Sequence, residues 1–252
     1  MINSKGKNKS MEDIMQHEFS RTELLIGNTG LDKLRQSTVM IFGIGGVGSY
    51  TVEALARAGV GHLILVDYDD ICLTNINRQL HALHSTVGMA KIEVMKHRIL
   101  EINPKAQVET IKKFYTAADA DHFLDRELDY VIDAIDTVSS KVNLAKECLQ
   151  RKVSFISSMG AGNRLTAENY KVTDISKTSG DPLAKAMRKL LRKEGITHGI
   201  KVVFSPDLPL TPISSNENCH IPGSISFVPS VVGLLIAGEV IRDLLQGSER
   251  KA

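Results

Sequence analysis

The sequence predicts an α/β protein built on a Rossmann-type, doubly wound and mostly parallel sheet. Short apolar runs alternate with segments of helical periodicity from Thr38 onward, which is the pattern of strands joined by crossover helices. A glycine-rich turn, G-x-G-x-x-G, separates the first apolar run from the first helical segment. Because crossovers between parallel strands are right-handed, we expect helices to cover both faces of the sheet.

The strands and helices follow from these runs in chain order. The apolar runs predict strands at 38–42, 62–67, 106–114, 130–136, 153–159 and 200–205. Helical spacing predicts helices at 47–59, 88–103, 139–152, 181–195 and 229–247. One face of the helix at 88–103 carries Met89, Ile92, Met95 and Ile99. The last third is less regular, so we expect an irregular C-terminal extension of the same domain.

Composition favours one soluble domain. Residues 1–16 are polar and basic and predict a mobile leader, whereas residues 17–252 contain no internal repeat and predict a single domain. The net charge of +2 does not by itself indicate a nucleic-acid partner. The longest apolar run, 225–237, contains Pro229 and is too short to span a bilayer. Three widely spaced cysteines fit a reducing compartment, so we predict a cytoplasmic protein without a membrane partner.

The glycine-rich turn predicts a phosphate-binding site. Gly43, Gly45 and Gly48 form the motif and Gly46 lies within it, so a phosphate can approach the free N–H groups of a helix N-terminus. Asp67 ends the next strand, where an acid can accept a hydrogen bond from a ribose hydroxyl. Taken alone, these residues predict an NAD-dependent oxidoreductase. A turn that binds no ligand is disfavoured by its position between a strand and a helix.

The residues that follow favour a nucleoside triphosphate over NAD. The run VDYDDICLTNINRQL (66–80) places acids, amides and a cation behind the second strand: Asp67, Asp69, Asp70, Asn75, Asn77, Arg78 and Gln79. Phosphates undergoing displacement need fixed positive charge, which Arg78 and Lys91 would supply. Asp136, at the carboxyl end of another strand, could hold Mg²⁺ through water. A non-catalytic or NAD-binding module stays open as the alternative.

Together these motifs resemble those of the adenylating-enzyme superfamily. The series is G-x-G-x-x-G, D-x-D, T-N-x-N-R-Q, G-x-x-K and D-A-I-D, and the resemblance extends from about Phe19 to Leu245. The superfamily includes the ubiquitin-activating enzymes and the ThiF-type activators of sulfur carriers in molybdopterin and thiamine synthesis. The resemblance implies an adenylating domain over residues 17–252 that activates a carboxylate by attack on the α-phosphate of ATP.

Within that superfamily the chain is most similar to the tRNA-modifying dehydratases. The similarity is carried by GIGGVGS, VDYDDICLTNINRQLHAL, VIDAIDTV, SMGAGN and DISKTSGDPLAKAMRKLLRK. This branch adenylates the carboxylate of threonylcarbamoyladenosine beside the tRNA anticodon and closes a ring with net loss of water. The first alternative within the superfamily is an activator of a ubiquitin-like or sulfur-carrier protein C-terminus.

The resemblance also implies roles for individual residues. Asp67 would bind ribose, Arg78 and Lys91 would bind phosphates, Asp136 would organise Mg²⁺, and Arg21 would reach into the active site of a neighbouring subunit. ATP, Mg²⁺, a homodimer, a possible monovalent cation and a possible sulfur-transfer or redox partner follow from the same resemblance. The sulfur-carrier activators carry two C-x-x-C pairs, and their absence from this chain argues against zinc.

The cysteines and two histidines are interpreted as structural. A free loop thiol is favoured over a nucleophile for Cys219, because only the adjacent His220 could lower its pKa. We expect Cys72 and Cys148 to be packing residues. His81 and His84 follow the N-R-Q motif without acidic or cysteine partners at ligand spacing, so metal binding by them is disfavoured.

A basic stripe on the helix at 181–195 predicts contact with tRNA. Its members share one face of the helix: Lys185, Arg188, Lys189, Arg192 and Lys193. Leucine and methionine residues take the opposite face: Leu183, Met187, Leu190 and Leu191. A solvated helix face is the alternative. Five cations offset by Glu194 alone favour binding to a phosphate backbone.

Overall fold

A computed structural model describes residues 16–211 and 222–246 of the chain. Over these ranges the helices are α1 (Ser20–Gln36), α2 (Gly48–Ala58), α3 (Lys91–Ile102), α4 (Ala120–Leu124), α5 (Val138–Arg151), α6 (Pro182–Lys193) and α7 (Phe227–Gln246). The strands are β1 (Thr38–Phe42), β2 (His62–Val66), β3 (Gln107–Ile111), β4 (Tyr130–Asp133), β5 (Ser154–Ser158), β6 (Lys171–Asp174) and β7 (Lys201–Phe204). The predicted leader lies outside the described residues except for its last position.

The strands of the described ranges form one sheet in the order β3-β2-β1-β4-β5-β7-β6. All neighbouring pairs are parallel except β6 and β7, which are antiparallel. Strand order reverses between β1 and β4, so a crevice opens beyond the carboxyl ends of these two strands. In their register, Phe42 lies beside Val66 on one side and Asp133 on the other. The predicted mostly parallel Rossmann-type sheet is confirmed.

Helices cover both faces of this sheet, as a doubly wound fold requires. On one face the core includes Val52 of α2, Ile92 of α3 and Val232 of α7. The opposite face is covered by α4, α5 and α6, through residues such as Leu144 and Met187. The last third is less regular than the rest, with stretches at 159–170 and 205–211 that contain no helix or strand. Among the described residues, no helix has both the length and the apolar character needed to cross a membrane.

Helix α1 is absent from the sequence prediction because its local signals conflict. The helix is broken at Gly27, where φ is 70°, and its apolar residues therefore do not keep one helical phase. It is held by tertiary contacts instead: Leu31 and Leu34 are fully buried. A Cβ on Gly30 would come within 3.2 Å of Leu245 in α7, so the two helices approach closely.

Three other local predictions differ from the structure. The short helix α4 and the edge strand β6 were not predicted. The helix predicted from residue 88 begins at Lys91, after Gly88 with a φ of 88°. Met89 therefore precedes the helix and is 48% exposed, which corrects its assignment to the buried face.

Candidate active site

A cavity of about 340 Å³ lies at the carboxyl edge of the sheet, where the strand order reverses. Its wall contains the glycine-rich turn, the end of β2, the loop after β4, and residues 161–162 and 222–224. This is the size of a small-molecule site, and its place is the one that open α/β sheets use for ligands. The predicted site residues that line it are Gly43, Gly45, Gly46, Asp67, Asp69, Asn75, Arg78, Gln79, Lys91 and Asp136.

The glycine-rich turn is closed by contacts that no side chain could accommodate. Gly43 has a φ of 86°, and a Cβ there would lie 2.7 Å from the carbonyl oxygen of Ala134 in the loop after β4. At Gly48, the first residue of α2, a Cβ would lie 1.8 Å from the Gly43 carbonyl oxygen. The turn therefore places the N-terminus of α2 at the cavity and presses directly on the β4–α5 loop.

Asp67 braces this turn from the end of β2. Its side chain is 8% exposed, and its Oδ2 accepts a hydrogen bond from the backbone N–H of Ile44 at 2.6 Å. Its Oδ1 accepts from the backbone N–H of Asp69 at 2.8 Å. Burial raises the pKa of the Asp67 carboxyl, although the neighbouring Lys91 opposes that shift. Since each carboxylate oxygen has a second lone pair, Asp67 can still accept a hydroxyl hydrogen bond.

His81 also contacts the backbone of Ile44. Its Nε2 lies 2.7 Å from the carbonyl oxygen of Ile44 and donates to it. Burial lowers the pKa of His81 to about 4, so the imidazole is neutral at pH 7. Its Nδ1 is buried with no hydrogen-bond partner among the described residues. The backbone of Ile44 is thus held at its N–H by Asp67 and at its C=O by His81, a role for His81 that was not predicted from the sequence. His84, by contrast, is exposed.

The two predicted phosphate-binding cations both line the cavity, but their side chains are not held equally firmly. Lys91 is 4% exposed, and its Nζ lies 2.6 Å from Oδ2 of Asp69. Arg78 is half-buried and donates to the carbonyl oxygen of Thr74 at 2.9 Å and to Oδ1 of Asn77 at 3.0 Å, both at the surface. Lys91 is therefore fixed in place, whereas Arg78 can turn its guanidinium toward a ligand.

Two amide side chains complete this part of the wall. Asn75 is buried, and its Oδ1 accepts from the backbone N–H of Cys72 at 3.0 Å. Gln79 is also buried, and its Oε1 has no partner among the described residues. Cys72 is exposed, which corrects the expectation that it packs in the core. Cys148 is buried as expected, and burial raises the pKa of its thiol. Cys219 and His220 lie outside the described residues.

Asp136 projects from the loop after β4. The strand predicted to reach residue 136 ends at Asp133, so Asp136 lies in the loop and is exposed to the cavity. Its Oδ1 lies 3.4 Å from Oγ1 of Thr137. The described residues contain no group of three or more His, Cys, Asp or Glu that could hold a metal. A Mg²⁺ ion at this place would have one carboxylate ligand from the protein, and phosphates and water would supply the others.

A buried ion pair beneath this loop was missed by the sequence analysis. Asp133 ends β4 and Lys141 lies in the first turn of α5; both side chains are fully buried, 2.9 Å apart. Lysine in a predicted helix is normally assigned to the surface. The signal was nevertheless present, because Lys141 shares the helical spacing of the buried residues Leu144, Ala145 and Cys148.

Two exposed aromatic rings at the mouth of the cavity were also missed. Tyr68 and Phe114 meet edge to face with centroids 5.0 Å apart, and both line the cavity. The carboxylate of Asp69 raises the pKa of the Tyr68 hydroxyl. Tyr68 follows the strand predicted at 62–67 and Phe114 ends the strand predicted at 106–114, and no pattern at either position indicates an exposed aromatic side chain.

Arg21 is not brought to this cavity. It is exposed near the start of α1, and Phe19, two residues earlier, packs against Gly59. Gly59 ends α2, which spans 11 residues, so it lies about 16 Å from the glycine-rich turn. Arg21 therefore lies toward the opposite edge of the sheet from its own cavity.

The predicted basic stripe is largely present on α6. Lys185, Lys189, Arg192 and Lys193 are exposed and are called here the basic face of α6. Arg188 is the exception, because it is half-buried and donates to Oγ1 of Thr178. The opposite side of the helix is apolar as predicted: Met187 and Leu191 are buried, and Leu183 and Leu190 are partly buried.

Asp181 connects the start of α6 to the wall of the cavity. Its Oδ1 caps the helix by accepting from the backbone N–H of Ala184 at 2.9 Å. Its Oδ2 accepts from the backbone N–H of Gly160 at 3.1 Å and lies 3.4 Å from the buried guanidinium of Arg164. The next residues, 161–162, line the cavity. The basic face of α6 and the cavity therefore belong to one connected part of the fold.

The doubly wound sheet has a braced glycine-rich turn, and cations and carboxylates surround its switch-point cavity; these features define a nucleotide-binding protein of the Rossmann-type class. Comparison with known proteins narrows this class. The chain belongs to the ThiF family, whose sequence pattern matches residues 19–252.

Named relatives match nearly the whole chain. It is 50% identical over 249 residues to a tRNA threonylcarbamoyladenosine dehydratase of Bacillus subtilis, covering 94% of this chain and 98% of that one. A protein of the same name from Haemophilus influenzae is 38% identical, with 93% and 95% covered. The crystal structure of the Escherichia coli tRNA N6-threonylcarbamoyladenosine dehydratase in complex with ATP superposes with a TM-score of 0.87 at 34% identity. That match covers 93% of this chain and 96% of the other.

Proposed function

We propose that this protein is an ATP-dependent tRNA-modifying dehydratase that cyclises threonylcarbamoyladenosine beside the anticodon. The observation that carries the proposal is the 50% identity, over 94% of the chain, to a relative of that name. The switch-point cavity supports the chemistry, because it combines a phosphate-binding turn with cations and a carboxylate around one space. We also propose that residues 17–252 work as a single domain, since both core clusters pack on one sheet.

The cavity suggests a placement for ATP. Its phosphates would lie at the glycine-rich turn, where N–H groups of α2 face the cavity. Its ribose would lie at Asp67, which keeps accepting capacity beyond its two backbone hydrogen bonds. Lys91 and Arg78 would supply positive charge to the phosphates, and Asp69 would keep Lys91 oriented toward them.

The reaction is then an adenylation followed by ring closure. A carboxylate oxygen of the substrate attacks the α-phosphorus of ATP, and the bond to pyrophosphate breaks. A nucleophile of the same side chain next attacks the activated carbonyl carbon, and the bond to AMP breaks. AMP carries away the carboxylate oxygen and the nucleophile releases a proton, so the substrate loses one water overall. Fixed cations at the phosphates stabilise the charge that develops during displacement.

Mg²⁺ is the metal that this donor set suits. When bound, it would neutralise charge on the phosphates, with Asp136 as the protein ligand, directly or through water. The exposure of Asp136 to the cavity supports this assignment. A monovalent cation, the absence of zinc, and a sulfur-transfer or redox partner stay predictions from the family resemblance.

The basic face of α6 is the proposed tRNA contact. In the described part of the chain, Lys185, Lys189, Arg192 and Lys193 are exposed and make no ion pair, so they are available for phosphates. The start of α6 is bonded through Asp181 to the segment that lines the cavity. A tRNA backbone on this face would therefore lie near the space where its modified adenosine must enter. A tRNA substrate also favours the cytoplasmic location that the sequence predicted.

A homodimer would give Arg21 a function. Because Arg21 lies away from its own cavity, it can reach an active site only in a second copy. The same helix exposes Leu24 at 74% and Leu25 at 87%, and neighbouring exposed leucines favour burial in an interface. Analytical ultracentrifugation of the parent and of Leu25→Glu tests this: the variant should be monomeric, and a monomeric parent would contradict it.

The substrate proposal is tested by measuring pyrophosphate release. Release with ATP and Mg²⁺ should require tRNA carrying threonylcarbamoyladenosine, and tRNA without this modification is the matched control. A carrier protein ending in Gly-Gly tests the alternative within the superfamily, because both substrates present a carboxylate. Release that depends on the carrier protein and not on the modified tRNA would replace the proposal. Greater thermal stabilisation by NAD than by Mg²⁺-ATP would reject the adenylating class itself.

A further inference from the structure

The ion pair between Asp133 and Lys141 is buried directly below the cavity. Both side chains are 0% exposed, and Nζ of Lys141 lies 2.9 Å from Oδ2 of Asp133. Ser157 of the neighbouring strand β5 donates its hydroxyl to the same Oδ2 at 2.6 Å. Asp133 ends β4 and Lys141 lies in the first turn of α5, so the pair joins the two elements on either side of one loop.

Stability alone does not account for this pair. Removing two charges from water costs free energy that their attraction offsets only in part, and apolar residues of similar size are often as stable or more so. The surrounding positions of α5, Leu144 and Ala145, are apolar and fully buried, so an apolar side chain would suit the site of Lys141. The other contacts of the ion pair therefore indicate its role.

It touches the backbone of the loop between β4 and α5. Lys141 Nζ donates to the carbonyl oxygen of Ile135 at 3.1 Å. The backbone N–H of Ile135 lies 3.2 Å from Oδ1 of Asp133 and donates to it. Both polar groups of one peptide residue are thus held by the two members of the ion pair. The next residue along the chain is Asp136.

The same loop is in contact with the glycine-rich turn. A Cβ on Gly43 would lie 2.7 Å from the carbonyl oxygen of Ala134 and 2.9 Å from the backbone nitrogen of Ile135. A small displacement of this loop would therefore change the position of Asp136 and press on the turn at once.

We propose that Asp133 and Lys141 are positioning residues that fix the Ile135 peptide and thereby set where Asp136 stands for Mg²⁺-ATP. Neither side chain is exposed to the cavity, so both act through the backbone rather than on a ligand. Ile135 is only half-buried, so water can replace both partners when the pair is removed. The loop would then stay hydrogen-bonded but would lose its single position. The inference rests on the proposed use of Mg²⁺-ATP at this cavity.

The test replaces the polar cluster by apolar residues of similar size, in the variant Asp133→Leu, Lys141→Met and Ser157→Ala. Thermal stabilisation by ATP is measured against Mg²⁺ concentration. The half-saturating Mg²⁺ concentration should rise about 10-fold or more, the usual effect of removing the support of a metal ligand. Stabilisation by ATP in EDTA should change less than stabilisation by ATP with Mg²⁺. Hydrogen exchange of residues 134–137 should become faster, while exchange in β1 and β2 stays unchanged.

The matched control is Leu144→Ala, a fully buried change one turn further along α5. It should lower the melting temperature without moving the Mg²⁺ dependence or the exchange of the loop. A folded triple variant with parent Mg²⁺ dependence would overturn the proposal. These readouts need no turnover, so they separate this inference from the tRNA assignment, which the pyrophosphate assay tests.

Two further measurements test the proposal if the triple variant does not fold. Asp133→Asn with Lys141→Met removes both charges with little change of shape and should give a smaller shift in the same direction. In the parent protein, the Ile135 amide should exchange more slowly than the amides of residues 136 and 137. Equal exchange at these three positions would show that the pair does not hold the peptide, and would overturn the proposal without any variant.

Discussion

The cavity and the basic face of α6 both contain cationic side chains, but they hold them in different ways. At the cavity, Lys91 is 4% exposed and paired with Asp69 at 2.6 Å, and the turn beside it is braced by Asp67 and His81. On α6, Lys189 and Arg192 extend into solvent. A preorganised cavity suits chemistry, where charge must not move during displacement. A flexible cationic surface suits a polyanion whose backbone can adapt to it.

The first prediction compares two lysines whose ion pairs have the same length. Lys91→Met keeps the aliphatic stem and should lower the adenylation rate by about 10²–10³-fold, as expected for losing one fixed charge at the transition state. The control is Lys112→Met. Lys112 bonds Asp70 at the same 2.6 Å, but it is half-exposed and outside the cavity.

Steady-state rates of pyrophosphate release measure both variants. Lys112→Met should remain close to the parent rate. Equal rates for the two variants would remove Lys91 from the mechanism and make its ion pair merely structural.

The second prediction concerns the brace of the glycine-rich turn. Burial lowers the pKa of His81 to about 4, below its usual value of 6.5, so the unfolded chain binds a proton more readily between these values. Stability from His81 is therefore complete above pH 6.5 and is lost as the pH falls toward 4. Between pH 7 and pH 5 the free energy of unfolding should fall by about 1–2 kcal/mol on this account.

Denaturant unfolding at several pH values measures this slope. His81→Gln, which keeps a donor for the Ile44 carbonyl but does not titrate, should flatten it. The exposed His84→Gln is the control and should leave it unchanged. A parent slope that survives His81→Gln would show that another group causes it.

The third prediction concerns the basic face of α6 and has the smallest expected effect on stability. Arg192→Glu should weaken tRNA binding and reduce the slope of log affinity against log salt by about 1, because one phosphate contact is lost. ATP stabilisation and the melting temperature should stay at parent values. Lys105→Glu makes the same charge change on an exposed residue between α3 and β3, away from α6. If both variants alter the salt slope equally, net charge explains the binding and the basic face does not.

Much of the cavity could be predicted because its signals are local in the chain. The strand–turn–helix unit with Gly43, Gly45 and Gly48 is contiguous, and Asp67 follows at the end of the next strand. The sheet, the coverage of both faces and the family are confirmed. Asp136 lines the cavity as its place after β4 suggested, although the strand itself ends three residues earlier.

The features that were missed depend on contacts between distant parts of the chain. The charge of the buried Lys141 is compensated by Asp133, which also accepts a hydrogen bond from Ser157, and the spacing within α5 does not identify these partners on two strands. The brace by His81 needs the Ile44 carbonyl, 37 residues away in the chain. Arg188 was assigned to the basic stripe by spacing alone, whereas its guanidinium donates to the hydroxyl of Thr178 and is half-buried. Helix α1 is held by the burial of Leu31 and Leu34 and by its close approach to α7.

Adenylation of a tRNA carboxylate at the cavity can be followed with an isotope label. The protein is incubated with ATP, Mg²⁺ and tRNA whose threonylcarbamoyl carboxylate carries oxygen-18, and the nucleosides and AMP are analysed by mass spectrometry. If the carboxylate is adenylated, each ring closure should give a nucleoside lighter by one labelled water and one AMP whose phosphate carries one labelled oxygen. Ring closure with unlabelled AMP, or no change in the nucleoside while the folded protein binds both substrates, would contradict it.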